Sequence, residues 1–257
     1  MMETWSLPTR RLGRTVHVHE ALDSTNTHAL TLAHDPAADG LVILARHQTA
    51  GRGQHGRIWL APPDSSVLLS VLLFPPPDLQ RPAVLTAWAA VAVCRFVLDA
   101  TGEETRIKWP NDVYLKEKKI CGILIEQRRQ GTGPGATVAG IGLNVGQPEA
   151  FFAAASLPLG ASLFSQTGLK LSWEKAARDL IGTLDAEYAR LERDGLAALE
   201  SAWSRGLGLL GKTVVAEAGQ RRLRGRLLEL GFENVLLRTD DGDVAVQPEA
   251  IQQLRAE

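Results

Sequence analysis

Residues 82–99 are apolar on nearly every side of a helix, with Val84, Leu85, Trp88, Val91, Phe96 and Leu98 spread around it. A helix without a polar face must be covered all round, so this one predicts a central buried helix. The material to cover it reads as strands. Residues 15–20 alternate, with Val16 and Val18 on one face and His17 and His19 on the other, a solvent-facing pair with no third ligand at metal spacing. Residues 41–45 are a continuous apolar run and residues 67–74 an apolar run broken by Ser70, as buried strands would be. Residues 105–109 form a short strand stopped by Pro110, and residues 113–115 and 120–126 flank the charged connection 116–119. Residues 136–145 add another strand, and an amphipathic helix runs from its cap Ser172 to about Arg193. Strands and helices in this order predict an α+β fold, a mixed β-sheet flanked by helices.

A second helix follows Gly195, and glycines 206, 208 and 211 mark a linker. Beyond it come only short strands: 213–218, 221–230, 234–239 and 243–247, with Asp241-Gly242 as the hairpin turn between the last two. These predict a small C-terminal β-barrel, and two domains, residues 1–208 and 209–257. Forty-five per cent hydrophobic residues support a real core, and a net charge of −1 does not suit nucleic acid or an anionic membrane. Cys94 and Cys121 sit in apolar contexts as reduced core thiols, and residues 1–15 lack an apolar leader, so a cytoplasmic protein is expected.

Residues 46–59, RHQTAGRGQHGRIW, carry the chemistry. Arg46, Arg52 and Arg57 with Gly51, Gly53 and Gly56 ask for an anion approached closely by backbone amides. Gly51-x-Gly53-x-x-Gly56 matches a dinucleotide fingerprint, but the Pro62-Pro63 stretch that follows cannot open the helix this fingerprint needs. No Gly-Lys-Ser/Thr closes a Walker loop either. A solvated basic loop is the plain alternative; Trp59, a π face beside charge, speaks for a stacked ligand. Asp23-Ser24-Thr25-Asn26 offers four helix-capping residues where one suffices, which leaves polar groups for a ligand or merely polar neighbours. Lys108-Trp109-Pro110-Asn111-Asp112 places a lysine, an amide and a carboxylate around a rigid turn, a set that serves phosphate and magnesium together. Lys119 opens a buried strand, whereas Lys116 and Lys118 read as surface charges.

Taken together, DSTN (23–26), QTAGRGQHGRIW (48–59), KWPND (108–112), KKICGILIE (118–126) and GIGLNV (141–146) resemble the biotin protein ligases, in family order. The resemblance implies a catalytic domain akin to class II aminoacyl-tRNA synthetases, followed by an SH3-like barrel. It implies an ATP-dependent enzyme that forms biotinyl-5′-AMP and passes biotin to a lysine of a biotin carboxyl carrier domain, with Mg2+. By the same resemblance, Ser24, Thr25, Asn26, Gln48, Gly51, Arg52, Gly53, Gln54 and Lys119 would bind biotin. Arg52, Arg57, Trp59, Lys108, Asn111, Asp112 and Asn144 would bind ATP. Lys119, Arg52 and Lys108 would be catalytic, and Asp112 would be the metal ligand. Many members carry arginine where this chain has Gln54. Only 22 residues precede Asp23, too few for the winged helix-turn-helix of bifunctional members, so a monofunctional ligase without specific DNA binding is expected, and the resemblance implies a homodimer. Lipoate ligation or octanoyl transfer is the neighbouring enzyme reading, and a biotin- or nucleotide-sensing module the non-enzyme one.

Overall fold

The computed structural model describes residues 2–128 and 135–257. Its main sheet takes eight strands: β1 (Met2–Ser6), β2 (Thr15–His19), β3 (Val42–Ala45), β4 (Ser66–Leu73), β5 (Arg106–Lys108), β6 (Asp112–Leu115), β7 (Lys118–Arg128) and β8 (Ala136–Asn144). Their order is β1-β2-β3-β4-β8-β7-β6-β5. The pair β2–β3 is parallel and every other pair is antiparallel, so the sheet is mixed, as expected.

β3 and β4 are buried at every residue because helices cover both faces of the sheet there. On one face lies α1 (Thr25–Thr31), over β3, β4 and β8, where its Ala29, with Ala33 just beyond it, clusters with Ile43, Leu72 and Val138 of the sheet. On the other lies α2 (Pro82–Thr101), the apolar helix, packed between the sheet and a long helix further along the chain. α2 has the length and composition of a membrane span, but most of it is buried inside this core. It starts with proline in its first turn and stops at Gly102, whose φ of 73° closes the helix in the left-handed region.

Two short helices were not foreseen, α3 (Glu149–Ala154) and α4 (Leu163–Thr167); both are too short to show a period. The long helix α5 (Trp173–Leu207) begins where Ser172 caps Lys175 N–H and is interrupted at Gly195, with φ 79° and ψ 179°. Its buried Asp185 accepts the backbone N–H groups of Arg10, Arg11 and Leu12 at 2.7, 2.9 and 2.8 Å. That carboxylate fastens the β1–β2 connection to the helix layer. Gly206, read as linker, is instead inside α5, where an added Cβ would stand 2.7 Å from Ile107 Cδ1.

Five strands follow: β9 (Thr213–Ala218), β10 (Arg221–Leu230), β11 (Val235–Thr239), β12 (Gly242–Val246) and β13 (Ile251–Ala256). They form one antiparallel sheet ordered β12-β11-β10-β9-β13, consistent with an SH3-like unit, with no β12–β13 pairing to close a barrel among the described residues. The hairpin turn is one residue earlier than expected: Thr239 pairs with Gly242, which leaves Asp240-Asp241 as the loop. Trp203 of α5 stacks on Phe232 at 5.4 Å and meets Trp109 at 5.3 Å, and Trp109 Nε1 donates to Ile251 O at 2.9 Å. The two sheets are joined through this aromatic cluster. The His17/His19 pair also departs from expectation. Both are half-buried, and the His19 ring lies edge-on to His28 of α1 at 4.7 Å. Burial, then the neighbouring His28 and His17, holds the His19 pKa below the usual imidazole value. Burial likewise raises Cys94 to about 11 and Cys121 further still, so both free thiols stay protonated.

Candidate active site

A cleft of about 750 Å³ opens over β7 and β8 on the α1 side of the sheet. All the residues expected at the site line it except Gly51. Arg46, the first arginine of the loop, also lies outside: it pairs with Asp64 at 2.8 Å and sits 5.3 Å over the Trp173 ring. The loop doubles back on itself, Trp59 N–H donating to Gly51 O at 2.9 Å and Gly53 N–H to Arg57 O at 2.7 Å. At Gly51 an added Cβ would stand 2.5 Å from Trp59 O, so this glycine serves the loop's own closure. The loop contains one short 3₁₀ turn at Gln54–Gly56, with His55 at φ 55°, and no helix opens after it. The dinucleotide reading therefore fails in the structure for the reason it failed in the sequence.

Trp59 is brought down onto the sheet. Gly122 and Gly142 face each other across β7 and β8. A Cβ on either would collide with the indole, at 2.9 Å and 2.6 Å. The two glycines thus make a flat floor. Trp59 Nε1 is buried there without a hydrogen-bond partner among the described residues. Lys119 Nζ stands 5.6 Å from the same ring and 2.7 Å from Asp112 Oδ1. Its main chain is gripped on both sides: Lys119 N–H donates to Leu159 O at 2.6 Å and Ala161 N–H to Lys119 O at 2.9 Å. A bulge between β6 and β7 at Val113/Tyr114 turns this segment. A fixed, half-exposed ammonium over a glycine floor is suited to meeting an anion at one spot.

The polar end of the cleft is a single network. Thr25 donates to Gln48 Oε1 from its N–H at 2.7 Å and its hydroxyl at 3.0 Å. The Ser70 hydroxyl lies 2.7 Å from Thr25 Oγ1 and 2.5 Å from Asn26 Oδ1. Asn26 Nδ2 donates to Leu124 O at 3.2 Å and Glu126 Oε2 at 2.8 Å. Ser24 occupies the N-cap of α1, yet its hydroxyl caps no amide among the described residues and lines the cleft. The four-residue cluster is therefore more than a cap.

Three expected nucleotide residues have other partners. Asn111 Nδ2 donates to Ile123 O at 2.6 Å, and Asn144 joins Ala161 O, Ser66 and Gln147, so both amides line the cleft while bracing the chain around it. Lys108 Nζ rests 3.3 Å from Tyr114 Oη and 5.0 Å from that ring's centre. Sequence reasoning missed Ser70, Glu126, the rim at Leu157 and Leu159, and Gln252–Arg255 of β13, all in or beside the cleft. Glycines at 122, 140 and 142 inside apolar strands were the available signal of close approach. Nothing in the pattern of β13 pointed to the cleft.

Residues 18–144 match the Biotin/lipoate A/B protein ligase family. A bifunctional ligase/repressor BirA of Bacillus subtilis is 32% identical over 240 residues, 93% of this chain and 74% of the relative. A biotin–[acetyl-CoA-carboxylase] ligase of Paracoccus denitrificans is 35% identical over 208 residues, 79% of this chain and 85% of that one. The chain belongs to the biotin protein ligase family. The family fold is seen in the biotin protein ligase of Aquifex aeolicus in complex with biotin and ATP, with a TM-score of 0.76 at 24% identity over 94% of this chain and 99% of that one. It is seen again in the Leishmania major biotin protein ligase in complex with biotinyl-5-AMP, with a TM-score of 0.62 at 20% identity over 90% and 98%.

Proposed function

We propose that this biotin protein ligase family member activates biotin with ATP and transfers it to a lysine of a biotin carboxyl carrier domain. A biotin carboxylate oxygen attacks the α-phosphorus, the bond to pyrophosphate breaks, and biotinyl-5′-AMP forms. The neutral amine of the carrier lysine then attacks the acyl carbon, AMP leaves with the bonding pair, and the nitrogen sheds a proton. The observation that carries this reading is Lys119: its ammonium is pinned 2.7 Å from Asp112 above the Gly122–Gly142 floor, in the same cleft as the polar network of Ser24, Thr25, Asn26 and Gln48. Both reactants are anions, and a preorganised cation between them offsets their repulsion and the charge developing at phosphorus.

In this reading Ser24, Thr25, Asn26 and Gln48 bind the ureido group and bicyclic ring, and Arg52, Gly53 and Gln54 reach the carboxylate and phosphate. Trp59 and Arg57 cover the nucleotide, and Lys108 meets its phosphates. Asn111 and Asn144 act by bracing the backbone around it. The described residues hold no cluster of three or more metal-ligating side chains, and Asp112 is the one acid among the lining. That donor set fits Mg2+ carried in by the phosphates and met by a single carboxylate. Residues 1–208 would do the chemistry and residues 209–257 form the second unit, in a cytoplasmic enzyme without specific DNA binding.

Incubation with biotin, ATP, Mg2+ and a biotin carboxyl carrier domain is expected to add one biotin to the carrier, read by mass. Adenylate without carrier modification would indicate a sensor, and neither product would refute the reading. Gly140→Ala tests the biotin end. Its Cβ would stand 2.2 Å from Asn26 Oδ1, and Asn26 is buried and held by Ser70, Leu124 and Glu126. The overlap, about 1–3 kcal/mol, must displace Asn26 and is expected to raise the biotin KM by roughly 5- to 150-fold. An unchanged KM would remove Asn26 from the binding site. Gln54→Arg tests the lid, where glutamine lacks the charge of other members. Adenylate dissociation is expected to slow by a few-fold, about 0.2–1 kcal/mol for one more exposed ion pair; an unchanged off-rate would exclude a role for this position in retention.

A further inference from the structure

The arginine expected to grip the reactants is engaged elsewhere. Arg52 Nη1 and Nη2 donate to Glu126 Oε1 and Oε2 at 3.0 Å and 2.7 Å. Glu126 Oε2 also accepts Asn26 Nδ2 at 2.8 Å, so one carboxylate joins the loop, the start of α1 and β7. Along β7, Gly122, Leu124 and Glu126 share a face by strand alternation. Lys119 Nζ lies over Gly122, 3.5 Å from where its Cβ would be. Glu126 is four residues further, roughly 13 Å along the strand. Arg52 is therefore held at the Glu126 position of β7, drawn away along the strand from the Lys119 position where the carboxylate–phosphate junction is placed. The pair is also exchangeable: the side chains are 42% and 24% exposed, and water and salt screen it.

We propose that Glu126 is the resident counter-ion of Arg52, parking the guanidinium in the ligand-free enzyme and yielding it to the anionic reactant as the loop closes. This rests on the ligase reading above. Glu126 is then a positioning residue that acts through Arg52 and not on the reacting atoms. The ligand's anion and the Glu126 carboxylate compete for the same planar fork. Each recapture of Arg52 by Glu126 reopens the loop, so the competition sets how readily the adenylate escapes. A Glu126 that served only to hold Asn26 would act in the opposite direction, because its loss would loosen the ligand.

Glu126→Gln preserves shape and an acceptor for Asn26 while removing the charge. With a stable phosphonate analogue of biotinyl-5′-AMP as probe, its dissociation from Glu126→Gln is expected to slow by about two- to fivefold, the range for a half-exposed ion pair. The KM for ATP should fall with it while kcat stays within about twofold, as for a change in ligand retention alone. In an Arg52→Ala background, Glu126→Gln is expected to change the analogue's off-rate no further, since the competing partner is gone. Glu126→Asp, which keeps the charge, should stay nearer the wild type than Glu126→Gln. An equal or faster off-rate in Glu126→Gln, or the same change persisting without Arg52, overturns the proposal. Failure of the wild type itself to bind the analogue would sink the ligase reading, and this one with it.

Discussion

Lys119→Ala is expected to slow biotinyl-adenylate formation by about 10²–10³-fold, the usual cost of deleting one preorganised charge-stabilising group. The fold should survive. The Lys119 side chain is 29% exposed and its partner Asp112 17%, and the alanine variant keeps the main-chain bonds to Leu159 and Ala161 that hold the segment in place. What is lost is the cation fixed above the Gly122–Gly142 floor, next to Trp59. Without it the Asp112 carboxylate remains, so the variant presents negative charge to two anionic reactants. Pyrophosphate release measured in single turnover, beside a melting curve, separates chemistry from folding. Adenylation within about threefold of wild type would move the reacting centre away from Lys119.

The main sheet was legible because burial on both faces writes itself as near-continuous apolar runs, as in Ser66–Leu73, broken only at Ser70 within it, and on α2 as a helix without a polar side. β13 was not. Its buried residues are Ile251 and Leu254, three apart, because a bulge between Ile251 and Gln253 breaks the alternation, and a strand without period 2 has no signature. His17 and His19 read as solvent-facing because strand periodicity marks two faces without saying what covers each, and on this one His28 of α1 sits against His19. The site followed the same division. Residue types in the loop and around Lys119 announced charge and close approach. Which charge meets which was hidden, since Arg46 goes to Asp64, and Arg52 to Glu126, 74 residues away. Sequence motifs nominate the groups, and only the folded pairings say where each one waits.

Trp203→Ala is expected to cost about 3–5 kcal/mol, the range for truncating a buried tryptophan to alanine. Trp203 is 1% exposed and stands between Trp109 and Phe232, so its removal opens a cavity where α5, the KWPND segment and the C-terminal sheet meet. Its Nε1 has no hydrogen-bond partner among the described residues, so the loss is one of packing and not of a polar bond. Across a chain of this size such a loss lowers the melting temperature by roughly 6–20 °C. Function should suffer before the main sheet melts. Trp109 is tied to β13 through Ile251 O, and β13 lends Gln252, Gln253, Leu254 and Arg255 to the cleft wall. Adenylation by Trp203→Ala is thus expected to fall at temperatures where far-ultraviolet circular dichroism still reports an intact main sheet, whereas Trp203→Phe, which keeps an aromatic face against Phe232, recovers most of it. A melting point within about 3 °C of wild type would show that the two sheets are held together by other contacts, of which Arg81 with Glu233 and Glu249 would be the next to remove.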